Sequence, residues 1–314
     1  MPNQFTKYTG TVTGQVGSLI TALDAALVTG QGWSKMAGTN VAAYRAPSGN
    51  RLYLYVDDTG SSGSSGLTPV TESRVTGYEG VASVGPIVGT SPFPAFAQNA
   101  GGNWLISVAA RKSASANSTA RPYQIYADSR TVYMFIQSGD NGTTYLAWMF
   151  GEIYSLMPGD QWNTIIMARN GDGNSSEAYE QSHRLTTNLT NQVGHFMARN
   201  HLGLPTINGS VNVGKHGDYA KGYNGVMGTA ALAFPNGADA GLYLSPVWVH
   251  DGTALAIRGR MRGFWQLCHN ETAFNDGDTF TGTGDLAART FTIIKPAASS
   301  GGYCIETSAT LETN

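Results

Sequence analysis

Residues 131–150 read TVYMFIQSGDNGTTYLAWMF, two apolar runs with a polar break between them. Thr131 to Gln137 and Thr144 to Phe150 are rich in the β-branched and aromatic residues that favour strands. Between them lies Asp140-Asn141-Gly142, and Asn-Gly adopts the positive φ of a tight hairpin turn at little cost. The stretch is therefore read as an antiparallel hairpin, and it sets the expectation for the rest of the chain.

The same pattern extends in both directions. Leu52, Leu54 and Val56 oppose Tyr53 and Tyr55 in a period-two strand with both faces partly covered, closed by a turn at Asp57-Asp58. Strand signals recur at Trp104 to Ala109, Tyr123 to Tyr126, Gly241 to His250 and Ala254 to His269. In the last of these, Leu255, Ile257, Met261, Trp265 and Leu267 share one parity, while Arg258, Arg260 and Arg262 share the other. That segment reads as a strand with one core face and one basic face. Phe280, Phe291 to Ile294 and Tyr303 to Glu306 complete a C-terminal set bounded by Asp276-Gly277-Asp278 and by the turn at Ser299 to Gly302. Many short strands with regular turns predict an all-β fold, an antiparallel sandwich or barrel-like body.

One helix is expected, over Val16 to Val28, because Val16, Leu19, Ile20, Leu23 and Leu27 recur at helical spacing and Gly30 follows as a stop. Residues 1–15 are Thr- and Gly-rich and read as an extended arm that is loose or lies on a neighbour, with Phe5 and Tyr8 as candidate interface residues. Residues 16–314 read as a single β-rich domain, or as two lobes divided near 160–225. Asn170 to Asn224 is polar and Gly/Asn-rich, and is read as long surface loops with a short helix near Ser176 to His183. The GSSGSSG run from Gly60 to Gly66 reads as a flexible loop or hairpin tip.

Composition narrows the function classes. Charged residues make up 13% of the 314 residues and 40 are glycine, about half and about twice the usual shares. A coiled coil, a helical repeat array and a charged disordered chain are excluded. With 19 basic and 21 acidic residues the net charge is -2, so no positive field gathers phosphate backbone or acidic lipid. Nucleic acid is not expected as the main partner, nor is a membrane, since no run approaches roughly 18 apolar residues. The start, Met1 to Gly17, lacks the charged head and apolar middle of a secretory signal, so synthesis in the cytoplasm is expected. Cys268 and Cys304 are too few for a disulfide scaffold and lack metal-ligand spacing.

Catalytic signatures are equally sparse. The zinc-helix, phosphate-loop and nucleophile-elbow motifs are missing from the sequence. Asp57 and Asp58 point to opposite strand faces and cannot flank one glycosidic bond together, so they read as a turn-forming pair. Asn170, Asp172 and Asn174 resemble the first oxygen ligands of a calcium loop, but Ser175 and Gln181 stand where glycine and glutamate are required, and a polar turn is favoured. His183, His195, His201, His216, His250 and His269 read as isolated polar or loop residues. Tyr53, Tyr55, Tyr123, Tyr126, Tyr133, Phe135, Tyr145 and Trp148 suit core and cross-strand packing better than a sugar-binding platform. Arg258, Arg260 and Arg262 span about 13 Å of one strand face. They read either as an inter-subunit or anion contact, since guanidinium forks match carboxylate and phosphate, or as a solvated face paired with local Asp and Glu. No catalytic residue, cofactor or metal is expected.

The ordered series GSLITALDAALVTGQG, GWSKMAGTNVAAYR, LYLYVDDTG, VTGYE, SPFP, Lys112-Ser113 followed by ARPY, ADSRTVYMF, FGEI, IRGRMRGFWQLCH, DGDTFTG and AARTF runs through nearly the whole chain. Together these motifs resemble a family of uncharacterised structural proteins of tailed bacteriophages and prophages, in a compact form in which Gly32-Trp33 follows the helix almost at once. The resemblance implies a virion component with no catalytic residues carried over, and by itself it does not fix a place on the head, at the neck or in the tail. The expected role is a non-enzymatic, repeated and homo-oligomeric subunit at the tail or head-tail region. Its partners would be copies of itself and other virion proteins, and it would be assembled in the host bacterial cytoplasm. A capsid decoration protein and a receptor- or glycan-binding module are the alternatives, with a depolymerising hydrolase behind them.

Overall fold

A computed structural model describes residues 4–60, 71–94, 108–137, 146–170, 185, 193–204, 212–215, 234–251, 256–269, 273–295 and 302–308. Of the described residues, strands hold 53% and helices 9%, against about 20–25% and 30–35% in an average globular protein. The protein is all-β, with antiparallel sheets curled into a half-barrel and sandwich. Among the described residues no helix is long and apolar enough to cross a membrane.

The strands are β1 (Thr6–Val12), β2 (Ser34–Gly38), β3 (Val41–Arg45), β4 (Tyr53–Asp57), β5 (Glu72–Val84) and β6 (Ile87–Phe93). They continue as β7 (Val108–Arg111), β8 (Arg121–Ala127), β9 (Thr131–Ile136), β10 (Leu146–Ser155), β11 (Thr164–Asn170) and β12 (Val193–Met197). The last group is β13 (Asn212–Lys215), β14 (Leu244–Asp251), β15 (Ala256–Leu267), β16 (Thr279–Thr281), β17 (Thr290–Ile294) and β18 (Tyr303–Glu306). The helix α1 (Ser18–Leu23) continues as a π-helical segment, Asp24–Gly30.

In the first sheet, neighbouring strands run β1, β8, β9, β10, β11, β7, β5, β4, β3, β2. Here β12 adds to β11 and β6 adds to β5. The hairpin that opened the reading is present, with Ile136 opposite Leu146 and Thr131 opposite Gly151. Its turn, Asp140 to Gly142, lies outside the described residues. The second sheet runs β13, β14, β15, β18, β17, β16. The last residues of β10 pair with β15, Ile153 opposite Met261 and Ser155 opposite Gly259. One strand thus belongs to both sheets. The change of sheet is made at Gly151, whose φ is +144° and whose added Cβ would stand 2.4 Å from Thr131 Cα, so only glycine fits. Between β12 and β13 the chain passes from the first sheet to the second.

Alternation along β9 and β10 explains why their residues are apolar on both faces. Val132, Met134, Ile136, Leu146, Trp148 and Phe150 turn inward onto Leu19, Leu23, Ala26 and Leu27 of the helix, which plugs the half-barrel. Tyr133, Phe135, Ala147 and Met149 turn outward onto Met261, Phe264, Tyr303 and Ile305 of the second sheet. This is sheet-on-sheet packing, in which the two inner faces share one core.

Several expectations from sequence need correction. The helix begins at Ser18, after Gly17 at φ +78°, and Val16 is left 41% exposed. The N-terminal segment is not a free arm: all of β1 pairs in register with β8, from Thr6 opposite Ala127 to Val12 opposite Arg121. Its Thr- and Gly-rich composition hid the strand because β1 is an edge whose outward side chains meet water. Two strands, β12 and β13, lie in the stretch read as polar loops. The parity along β15 is broken at Gly263, φ +57°. Met261 and Phe264, three residues apart, therefore both join the inter-sheet core, while Trp265 and Leu267 turn to a separate cluster with Phe291 and Cys304. Ile257, assigned to the core face, is 41% exposed. The expected helix near 176–183 and the GSSGSSG run lie outside the described residues, Gly60 apart.

Candidate functional site

Non-local ion pairs inside the protein gather the charged residues of the motifs. Asp57 and Asp58 do point to opposite faces. Asp57 Oδ1 accepts from the N–H and hydroxyl of Thr59, at 3.0 and 2.6 Å, and so closes the turn. Asp58 turns inward and is 0% exposed. It pairs with Lys112, accepts from Ser73 Oγ at 2.8 Å, and accepts from the Leu19 N–H at 3.0 Å. That N–H is one of the unsatisfied donors of the first helical turn, so Asp58 caps α1 from 39 residues away. Lys112 also donates to the Gln15 carbonyl at 2.6 Å. Burial pushes the Asp58 carboxyl up and the Lys112 ammonium down, each against the pull of its partner.

Two further pairs clamp β15 to the first sheet. Asp160, between β10 and β11, takes Arg258 in a two-bond fork at 2.7 and 2.8 Å. Burial opposes the charge on Asp160, but hydrogen bonds from Arg258, Ser155 Oγ and the Trp162 N–H hold it below the usual carboxylate range. Asp128, in the turn between β8 and β9, receives Arg262 Nη2 at 2.5 Å, and Arg262 Nη1 reaches Thr131 Oγ1 at 2.9 Å. Arg262 also lies over the Phe5 ring, 6.0 Å from its centroid.

Glu152 sits beside the sheet change and accepts from the Asn50 N–H, with Arg130 3.7 Å away. Gly49, φ +73°, lets the backbone approach, since a Cβ there would stand 1.8 Å from Glu152 Oε1. Burial raises the Glu152 carboxyl above its ordinary value. In the second sheet Arg289 pairs with Glu306 and stacks on Trp265, 5.2 Å from the ring centroid.

The candidate interface residues separate. Phe5, Arg258 and Arg262 are 3%, 1% and 1% exposed and are spent within the chain. Tyr8 is half-buried, its hydroxyl taking a 2.8 Å bond from Gln31 Nε2. Of these five, Arg260 is the one whose guanidinium has no hydrogen bond or ion pair among the described residues, lying over the Tyr154 and Trp265 rings. The basic face of β15 is therefore neither solvated nor an intact interface, because the carboxylates opposite it belong to the turns of the first sheet.

Among the other candidates, Tyr55, Tyr123, Tyr126, Tyr133, Phe135 and Trp148 are buried packing residues, while Tyr145 is outside the described residues. His195 and His269 are buried rather than loop residues, and His183 and His216 are not described. Asn170 ends β11, and the calcium-like residues after it are not described. Among the described residues no three His, Cys, Asp or Glu side chains converge as a metal site. The ion pairs escaped sequence reasoning because their partners lie 54, 98 and 134 residues apart.

Set against known proteins, the chain matches no protein-family model and no curated protein sequence.

Proposed function

We propose that this protein is a non-enzymatic structural component of a tailed-bacteriophage particle, a repeated subunit of the tail or head-tail region. One observation carries the reading: the motifs that resemble the phage family supply the mechanical framework. LYLYVDDTG and the Lys112-Ser113 segment supply the Asp58–Lys112 pair. ADSRTVYMF and IRGRMRGFWQLCH supply Asp128–Arg262. FGEI supplies the sheet change at Gly151, and AARTF supplies Arg289, paired with Glu306. Residues set to hold two sheets and a helix together suit a subunit that carries load through shape and packing.

The test is quantitative mass spectrometry of purified particles, comparing intact virions with isolated tails and tail-less heads. A small, ring-like copy number that follows the tails is expected. Copies confined to heads and matching the major capsid protein would make it a decoration protein. Absence from every fraction would overturn the particle reading and bring the glycan-binding module forward.

A further inference from the structure

Arg260 stands on β15 between two arginines that are each locked to an aspartate, yet among the described residues its own fork has no such partner. Its guanidinium lies 5.3 Å from the Tyr154 ring centroid and 6.0 Å from that of Trp265. Among the described residues no carboxylate, carbonyl or hydroxyl bonds it. The other side of the comparison is on the same ring. Arg289 also stacks on Trp265, at 5.2 Å, and its fork is filled: Nε meets Glu306 Oε1 at 2.7 Å and Nη2 meets Oε2. Trp265 thus carries two guanidiniums, and among the described residues the pair has one carboxylate, that of Glu306, between them.

The electrostatics agree with a site short of negative charge. Burial and the neighbouring Arg289 cation lower the Arg260 pKa, and Glu306, already held by Arg289, only partly opposes them. Half-buried cations flanked by rings are strengthened by a desolvated acceptor, and a planar fork takes a carboxylate by two parallel bonds.

We propose that Arg260, framed by Tyr154 and Trp265, receives the carboxylate of an aspartate or glutamate presented by a neighbouring polypeptide chain. That the neighbour is another particle subunit rests on the reading above; the recognition of a carboxylate does not. Glu306 on Arg289 is the internal pattern for the bound state, with the neighbouring chain supplying to Arg260 what Glu306 supplies to Arg289.

Two measurements test it. Purified protein is titrated with a hexaglutamate peptide and, separately, with inorganic phosphate at constant ionic strength, following tryptophan fluorescence. Saturable peptide binding is expected, at least tenfold weaker in Arg260→Gln and in Arg260→Lys, which keeps the charge but not the fork. Phosphate should bind weakly in all three. Thermal midpoints of the variants close to the wild type establish that the fold is kept. Equal peptide binding by the three proteins, no binding by any, or phosphate binding as tight as the peptide would overturn the proposal. In particles, Arg260→Gln should lower incorporation at least tenfold; unchanged incorporation would remove the subunit contact. Wild-type protein missing from particles would defeat the particle reading while leaving the peptide titration to decide Arg260.

Discussion

Arg262 on β15 reaches across 134 residues to place Nη2 2.5 Å from Asp128 Oδ2, in the turn that joins β8 to β9. The same Asp128 Oδ1 accepts the N–H groups of Arg130 and Thr131, each at 2.8 Å. One carboxylate therefore shapes a hairpin of the first sheet and anchors a strand of the second. Removing one member of a buried pair leaves the other charge unpaired, which costs about 3–5 kcal/mol. Arg262→Met should lower the unfolding free energy by about that amount, measured by urea denaturation. Arg262→Met with Asp128→Asn should recover part of it, and a double variant no better than the single one would contradict the pairing.

Asp58 and Lys112 give a sharper version of the same contrast. Both side chains are 0% exposed, and burial outweighs their attraction in setting both pKa directions. Lys112→Met should cost about 3–5 kcal/mol, while replacing the pair by Met and Asn should cost far less, since apolar replacement of a buried pair is often neutral. The helix cap makes a distinct prediction. Asp58→Ala should also speed amide exchange in the first turn of α1, where the Leu19 N–H loses its acceptor, as read by native-state hydrogen exchange.

The carboxylates near the sheet change respond to pH with opposite sign. Asp160 is held below its ordinary value, so its contribution is present above the unfolded pKa, near 3.9, and is lost as pH falls through the folded pKa. Glu152 is held above its ordinary value, so its contribution is present below about 4.3 and is lost as pH rises through the folded pKa. Asp160→Asn should flatten the acid limb of a stability-pH curve. Glu152→Gln should gain stability relative to wild type on going from pH 4 to pH 7. Parallel curves for wild type and both variants would refute the assignment.

The strands were legible where period two met a buried face on each side, as at Thr131 to Phe150 and Leu52 to Val56. The elements missed share a physical cause. The edge strand β1 shows water its outward residues, so no apolar alternation marks it, and β12 and β13 sit in a polar stretch. At Gly263 one positive φ flips the faces of everything after it, so Met261 and Trp265 share a parity in sequence and different clusters in space. The arginine row on β15 was legible as a row, but the internal pairing of Arg258 and Arg262 depended on aspartates far away in sequence.

Gly151 offers a test of the shared strand. A side chain there would collide with backbone at 2.4 Å, whereas at Gly159, φ +68°, nothing stands within 4 Å. Gly159→Ala should cost only the left-handed conformation, about 1–2 kcal/mol. Gly151→Ala adds overpacking against Arg130 and Thr131 of the same sheet, about 1–3 kcal/mol in a filled interior, and should loosen β9 from β10 enough to expose Tyr133. Increased dye binding by Gly151→Ala, unseen in Gly159→Ala, is the expected signature.

The N-terminal segment holds the edge of the first sheet. Seven residues of β1 are paired with β8, and on either side of the exposed run Phe5 and Val12 are 3% and 1% exposed. Phe5 packs on Tyr133, ring centroids 5.4 Å apart, beside the Arg262 guanidinium. Burying one such aromatic contributes about 1.5–3 kcal/mol, and losing β1 also strips the strand pairing from β8. Deleting residues 1–15 should therefore destabilise the body by several degrees in thermal midpoint, with Phe5→Ala reproducing about half of the loss. A truncated protein as stable as wild type would mean that β1 is held by water-exchangeable contacts alone and is free to pair with a second chain.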